Sequence, residues 1–187
     1  STNNRIMVPF YVYYSMFGFQ RIGDLAWAAG DMQARGFLLG GTSGRTTLNG
    51  EGLQHEDGHS HILANTIPNC VTYDPTFAHE VAVIMHHGMK RMVEQQENVF
   101  YYITLLNENY PMPGLTAGTE EQIIKGMYMC KPGAVPPQDT SGASEKRVQL
   151  LGSGTILRES IAAQTLLAAD WGIQADVWSC PSFNELT

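Results

Sequence analysis

The sequence contains few cysteines, no long hydrophobic run and no cluster of basic residues. Its 187 residues include only three cysteines, Cys70, Cys130 and Cys180, which lie far apart and form no CxxC pair. Such an odd, sparse set argues against a secreted disulfide scaffold and favours a reducing compartment. No apolar stretch approaches the ~18 residues of a membrane-spanning helix, and the first residues lack a signal-peptide pattern. We therefore expect a cytoplasmic protein without a membrane-spanning segment.

Positive charge is also scarce. The 11 Lys and Arg residues are outnumbered by 18 Asp and Glu residues, so the formal net charge is −7. An acidic chain without a basic stripe is a poor partner for nucleic acid or for an anionic membrane. Hydrophobic residues make up 43% of the chain, which is enough to bury a core and excludes wholesale disorder. An enzyme, a part of an enzyme or a protein-interaction domain remains.

Alternating strand and helix patterns predict an α/β fold. The predicted elements are strands at 6–17, 37–39, 69–73 and 99–106, and helices at 19–32 and 76–96. The first strand is aromatic and β-branched without polar alternation, so we expect it to be buried on both faces. We expect Asp74 to cap the second helix. This order of elements predicts a mostly parallel sheet flanked by helices.

A segment rich in Pro, Gly and Ser divides the chain. Residues 132–146 form a linker by composition, between a first domain at 1–131 and a second unit at 147–187. The second unit has the pattern of a βαβ motif, with strands at 148–151 and 175–179 and a helix at 156–171. Because two strands and one helix cannot bury both faces of a sheet, we expect an incomplete βαβ unit from a truncated α/β domain.

No regular element fits most of the Gly-rich segment 40–66, which contains three histidines. A loop this long in a compact domain is usually functional or disordered, and three His side chains near the end of a strand favour a functional site. His55 and His59 match the H-E-x-x-H signature of zinc proteases around Glu56, but the surrounding glycines make a poor helix. A zinc hydrolase built from this loop, and a structural role for His59 and His61, remain alternatives.

A second glycine motif lies between the first strand and the helix of the second unit. Gly152-Ser153-Gly154 resembles the start of a dinucleotide fingerprint, but Leu157 stands where the third glycine is needed. We therefore interpret this motif as a tight turn.

Long runs of the sequence resemble one enzyme family. These runs are Pro9–Asp24, Gln33–His61, Ile67–Cys70, Tyr73–Pro75, Leu106–Tyr110 and Val148–Gly154. They are similar to the homodimeric, bacterial-type pyruvate dehydrogenase decarboxylating component, and the similarity covers nearly the whole chain except 112–146.

The resemblance implies an activity and a cofactor. Members of this family are oxidoreductases that use thiamine diphosphate and Mg²⁺ to decarboxylate pyruvate. They pass the acetyl group to the lipoyl group of dihydrolipoyl acetyltransferase, between glycolysis and acetyl-CoA. By resemblance, the chain is a fragment of such an enzyme. It would comprise the transketolase-like, pyrimidine-binding middle domain without its N-terminal part, and the start of the C-terminal domain.

The resemblance also assigns site residues. Tyr14 and Phe17 resemble the aromatic residues that pack on the aminopyrimidine ring of the cofactor, and His55 resembles the active-site histidine that faces the substrate. A hydrogen-bond donor at His55 would stabilise charge that develops on pyruvate. The family's thiamine sites lie at the interface of the homodimer.

Other parts of the family's active site have no counterpart in the sequence. It contains no Gly-Asp-Gly, the motif that holds Mg²⁺ and the diphosphate, so those ligands are expected outside this chain. The catalytic glutamate of the family is expected upstream of it. We therefore expect the isolated chain to be inactive. A non-catalytic domain for dimerisation or docking is the remaining alternative.

Overall fold

Strands and helices alternate along the computed structural model, which describes residues 5–41, 52–134 and 147–186. The strands are β1 (Phe10–Tyr14), β2 (Phe37–Gly41), β3 (Cys70–Tyr73), β4 (Phe100–Leu105), β5 (Tyr128–Lys131), β6 (Arg147–Gly152) and β7 (Gln174–Ser179). The helices are α1 (Ser15–Asp31), α2 (Ser60–Ala64), α3 (Ala78–Met89), α4 (Glu120–Ile124) and α5 (Ile156–Trp171), with a 3-10 turn at Leu53–His55 and a π-helical turn at Lys90–Glu94. No described helix is long and apolar enough to cross a membrane.

The first sheet is parallel, and helices pack on both of its faces. Within the described ranges it has four strands in the order β1-β2-β4-β3, and every neighbouring pair is parallel. Side chains alternate between the faces of a strand. Phe37 of β2 accordingly packs in one buried cluster with Ile84 of α3. Tyr102 of β4 packs in another with Phe19 of α1 and Ala64 of α2. This is the mostly parallel sheet flanked by helices that the sequence predicts.

β1 is shorter and more exposed than predicted. The strand expected at 6–17 ends at Tyr14, and α1 begins at the next residue, so Phe17 lies in the first turn of a helix. Gly18 allows this early turn, because a Cβ atom there would lie 1.6 Å from the ring of Tyr13. The prediction of a strand buried on both faces is also wrong. β1 is an edge strand in the part of the chain that the structure describes, and most of its side chains are exposed.

A 3-10 turn and α2 lie within 40–66, most of which is expected to have no regular element. Residues 42–51 fall outside the described residues. The side chain of Asp57 stabilises the start of α2. Its Oδ1 accepts a hydrogen bond from the Ser60 backbone N–H at 3.1 Å, and its Oδ2 accepts one from the Ser60 hydroxyl at 2.5 Å. A short polar side chain commonly satisfies a helix N-terminus in this way.

α3 begins at Ala78, and Asp74 does not cap it as predicted. The carboxylate of Glu80 takes that role, since its Oε2 accepts hydrogen bonds from the backbone N–H groups of Thr76, at 2.5 Å, and Phe77, at 2.9 Å. Asp74 is engaged elsewhere, by the Gly152–Gly154 turn.

The second sheet contains three described strands where two were predicted. Its order is β5-β7-β6, with β6 parallel and β5 antiparallel to β7. The helix α5 coincides with the predicted 156–171, and Gly172 ends it in a left-handed conformation with φ at 62°. β5 lies before the predicted linker 132–146, and residues 135–146 of that linker fall outside the described residues.

Buried hydrogen bonds join the two sheets. The Oε1 atom of Glu80, on α3, accepts hydrogen bonds from the hydroxyls of Tyr128, at 2.8 Å, and Ser179, at 2.6 Å. The hydroxyl of Ser182 donates to the backbone carbonyl of Thr72 at 2.6 Å. The second unit is therefore anchored to the edge of the first sheet at which its parallel strands end.

Candidate active site

The three predicted site residues lie together at the carboxyl edge of the first sheet. Tyr14 ends β1, Phe17 follows in the first turn of α1, and His55 ends the 3-10 turn. The His55 ring centroid is 5.5 Å from that of Tyr14 and 5.4 Å from that of Phe17, to which the imidazole is perpendicular. The two aromatic centroids are 6.0 Å apart. In open parallel sheets, ligands bind at this edge.

A cation also lies at this cluster, and the sequence reasoning missed it. The guanidinium carbon of Arg21 lies 4.8 Å from the centre of the Phe17 ring, a cation–π distance. No sequence pattern signals this contact, because Phe17 is predicted to end a strand; only the start of α1 at Ser15 places Phe17 and Arg21 four residues apart on one helix. The site therefore presents two aromatic rings, an imidazole and a positive charge close to one another.

The loop that carries His55 is attached to α1. The side-chain amide of Gln20 donates a hydrogen bond to Nε2 of His59 at 3.0 Å. Asp57 lies between the two histidines and is buried, and its Oδ1 also accepts the backbone N–H of His59 at 3.2 Å. These bonds restrain the loop on the side that follows His55.

His61 lies deeper, under the same edge. Its Nε2 is 3.0 Å from the hydroxyl oxygen of Thr104, and its ring centroid lies 5.1 Å from that of Tyr102. Burial lowers the pKa of His61, and the carboxylates of Asp57 and Asp74 oppose this effect only in part. His61 is thus favoured in its neutral form.

The described residues do not assemble a zinc site from the H-E-x-x-H motif. His55 lies in a 3-10 turn and His59 directly precedes α2, so the two histidines do not share a helix face. His59 is hydrogen-bonded to Gln20, and His61 to Thr104. Throughout 5–41, 52–134 and 147–186, no group of three or more His, Cys, Asp or Glu side chains is placed to hold a metal ion.

A cleft of about 360 Å³ lies between α2 and the second unit. The polar part of its lining includes Asp57, His61 and Asp74, and the apolar part includes Leu151 and Phe183. The Gly152–Gly154 turn forms one wall. The motif is a turn, as interpreted from the sequence, and it contacts the first sheet.

Comparison with known proteins gives the family. The family model of the pyruvate dehydrogenase E1 component middle domain matches residues 1–113, and that of a transketolase-like C-terminal domain matches residues 126–187. The pyruvate dehydrogenase E1 component of Pseudomonas aeruginosa is 65% identical over 186 residues, and that of Escherichia coli K12 is 65% identical over 187 residues. Each alignment covers 100% of this chain and 20% of the relative.

Solved structures agree on the fold. Transketolase from Leishmania mexicana superposes with a TM-score of 0.71 at 14% identity, over 96% of this chain and 24% of that chain. Transketolase from Campylobacter jejuni gives a TM-score of 0.64 at 18% identity, over 96% of this chain and 25% of that chain. The predicted α/β fold and the predicted family are both confirmed. The chain belongs to the family of the pyruvate dehydrogenase E1 component middle domain, followed by a transketolase-like C-terminal domain, and it spans about a fifth of the length of the relatives it matches.

Proposed function

We propose that this chain forms the pyrimidine-binding part of a thiamine-diphosphate-dependent pyruvate dehydrogenase. The observation that carries the proposal is the grouping of Tyr14, Phe17 and His55 within about 6.0 Å of one another at the carboxyl edge of a parallel sheet. The names of the relatives support the same activity. The reaction is decarboxylation of pyruvate and transfer of the acetyl group to the lipoyl group of dihydrolipoyl acetyltransferase.

The described residues fit one part of the cofactor. Tyr14 is 39% exposed, and Phe17 is half-buried beside it, so both side chains leave aromatic surface on which a planar heteroaromatic ring can pack. Thiamine diphosphate, when bound, supplies the carbon nucleophile and the electron sink that decarboxylation of a 2-oxo acid requires. Mg²⁺ and the diphosphate would be held by residues outside this chain.

The chain's own residues have two roles in this proposal. Tyr14 and Phe17 hold the aminopyrimidine ring through aromatic packing. His55, whose ring lies against both, donates a hydrogen bond to the substrate oxygen on which negative charge develops. A preorganised donor of this kind stabilises the transition state more than the ground state, so it raises the rate of the chemical step.

Three further parts of the proposal concern assembly and surroundings. The enzyme is a homodimer, and exposed apolar side chains along β1 and α1, including Tyr11, Val12 and Leu25, support contact with more protein. The lipoyl domain of dihydrolipoyl acetyltransferase is its partner. The cytoplasm is its compartment, supported by three cysteines that are all unpaired.

Replacement of His55 in the full-length holoenzyme tests the proposed function. His55→Ala lowers kcat about 100- to 1000-fold, equivalent to ~3–4 kcal/mol, because one donor to the developing charge is lost. Cofactor affinity stays near normal, since the aromatic contacts remain. Tyr14→Ala shows the opposite balance: cofactor binding weakens, and excess thiamine diphosphate recovers part of the rate.

The control is His86→Ala, which removes an exposed histidine on α3, far along the chain from this cluster. Its kcat should equal that of the wild type. Near-normal turnover of His55→Ala would remove His55 from catalysis and favour a domain that serves only dimerisation or docking. Loss of cofactor and substrate binding together would show that His55 merely supports its loop.

A further inference from the structure

The Gly152–Gly154 turn of the second unit contacts Asp74 at the end of β3. The Ser153 hydroxyl donates to Oδ2 of Asp74 at 2.9 Å, and the Gly154 backbone N–H donates to the Asp74 carbonyl oxygen at 3.1 Å. Thr76 returns a hydrogen bond from its hydroxyl to the Gly154 carbonyl at 2.6 Å. Gly154 has a φ of 51°, and a Cβ atom there would lie 2.6 Å from Asp74 Oδ2. Only glycine permits so close an approach.

The other carboxylate oxygen of Asp74, Oδ1, is linked to α2 through Thr104. Thr104 donates its hydroxyl hydrogen to Asp74 Oδ1 at 2.6 Å. Since that hydrogen is committed, the Thr104 oxygen serves as the acceptor for the Nε2–H of His61 at 3.0 Å. Neutral His61, favoured by its burial, carries the single ring proton that this bond requires.

α2 transmits this restraint to the His55 loop. His61 lies in α2, whose N-terminus is held by Asp57, only two residues after His55. We propose that four hydrogen-bonded side chains position the His55 loop against α1 from the side of the second unit. This positioning chain consists of Ser153, Asp74, Thr104 and His61.

The inference rests on the proposed function, because it gives the second unit a part in placing the donor His55. In this proposal the four residues act on His55 only through α2, so they are positioning residues and not catalytic ones. Hydrogen-bond chains of this kind transmit position because each member has its geometry set by two partners.

The test uses Thr104 variants of the full-length holoenzyme, with decarboxylation of pyruvate measured at saturating cofactor. Thr104→Val keeps the shape of the side chain and removes its hydroxyl, and we expect kcat to fall about 10-fold, as for loss of one buried hydrogen-bond partner. The dissociation constant for thiamine diphosphate is expected to stay unchanged. Thr104→Ser keeps the hydroxyl and is expected to restore kcat to within about 2-fold of the wild type.

A double-mutant cycle separates positioning from general stability. If Thr104 acts through His55, then Thr104→Val changes kcat by less than about 2-fold in the His55→Ala background. An equal loss in both backgrounds, or a Thr104→Val enzyme with wild-type kcat, overturns the inference.

A second pair of variants serves if Thr104→Val fails to fold. Ser153→Ala and Ser182→Ala each remove one hydroxyl that bridges the two units, but only Ser153 belongs to the positioning chain. Ser153→Ala is expected to lower kcat, and Ser182→Ala to leave kcat unchanged. Equal kcat values for the two variants contradict the inference.

Failure of the proposed function gives a different result from failure of this inference. If the wild-type holoenzyme does not decarboxylate pyruvate, the proposed function is wrong, and a crystal structure of the Thr104→Val or Ser153→Ala variant decides the inference. The His55 ring is then expected to leave its position 5.4 Å from Phe17. A ring that stays in that position in both variants overturns the inference.

Discussion

Glu80 is expected to be the most sensitive single position for the stability of this chain. Its side chain is completely buried, and its carboxylate accepts four hydrogen bonds, from the Thr76 and Phe77 amides and from the Tyr128 and Ser179 hydroxyls. Burial also raises the pKa of Tyr128 above its ordinary value, so this tyrosine stays protonated and remains a donor. Replacing the carboxylate therefore affects α3 and the second sheet together.

The size of the destabilisation depends on which hydrogen-bond donors can find a new partner. In Glu80→Ala the two hydroxyls can turn, but the backbone N–H groups of Thr76 and Phe77 cannot. Each buried donor left without a partner costs ~1–3 kcal/mol, so we expect a loss of ~4 kcal/mol in the free energy of unfolding. That is a large fraction of the ~5–15 kcal/mol by which domains are stable.

Glu80→Gln is the informative companion variant. Its amide oxygen can face the two backbone N–H groups, while its amide nitrogen faces the hydroxyls of Tyr128 and Ser179, which must become acceptors. We expect a loss of ~1–2 kcal/mol, because only the hydroxyl side of the network is rearranged.

Urea unfolding at neutral pH measures these effects. Unfolding is followed by circular dichroism and by tryptophan fluorescence. The first unit contains Trp27, and the second contains Trp171 and Trp178. In Glu80→Ala the transitions seen by the two probes should no longer coincide, because the units no longer unfold together. For the same reason, the slope of the free energy of unfolding against urea concentration should fall. Glu121→Ala, which removes an exposed carboxylate paired with Lys125, serves as the control and should not change the midpoint. A Glu80→Ala protein less than ~1 kcal/mol destabilised would refute this account of buried donors.

Three further predictions follow from charges, edges and missing motifs. Hydrogen bonds from Arg147, the Gly133 backbone and Gln149 lower the pKa of Asp176. The ionised carboxylate therefore stabilises the fold above its ordinary pKa of 3.8, and this stabilisation is lost as the pH falls below that value. Asp176→Asn should remove this part of the acid dependence of the urea midpoint. Hydrogen exchange should be faster in β6, which is exposed and lies at the edge of its sheet among the described strands, than in β4, which is central and buried. Equal protection would contradict this. The 187-residue chain should not bind thiamine diphosphate measurably, because its sequence has no Gly-Asp-Gly motif; a micromolar dissociation constant in calorimetry with Mg²⁺ would show the opposite.

Elements that depend on nearby residues follow from the sequence. α5 was predicted over the same residues that form it, because its apolar spacing is local and Gly172 adopts the left-handed conformation that ends a helix. The parallel direction of the strands in the first sheet follows from the alternation of strands and helices. The proximity of Tyr14 and Phe17 to His55 was implied by the family resemblance, and it agrees with the rule that ligands bind where parallel strands end.

Features that depend on distant residues were decided by the tertiary structure. Asp74 had the local pattern of a helix cap, but Ser153, 79 residues later, engages its carboxylate instead. Glu80 lies inside the helix predicted at 76–96, and its burial depends on Ser179, 99 residues later, which donates to its carboxylate in the interior. Local propensity acts over a few residues, whereas buried polar groups must find a partner wherever the fold supplies one, so these pairings arise only when the chain is packed.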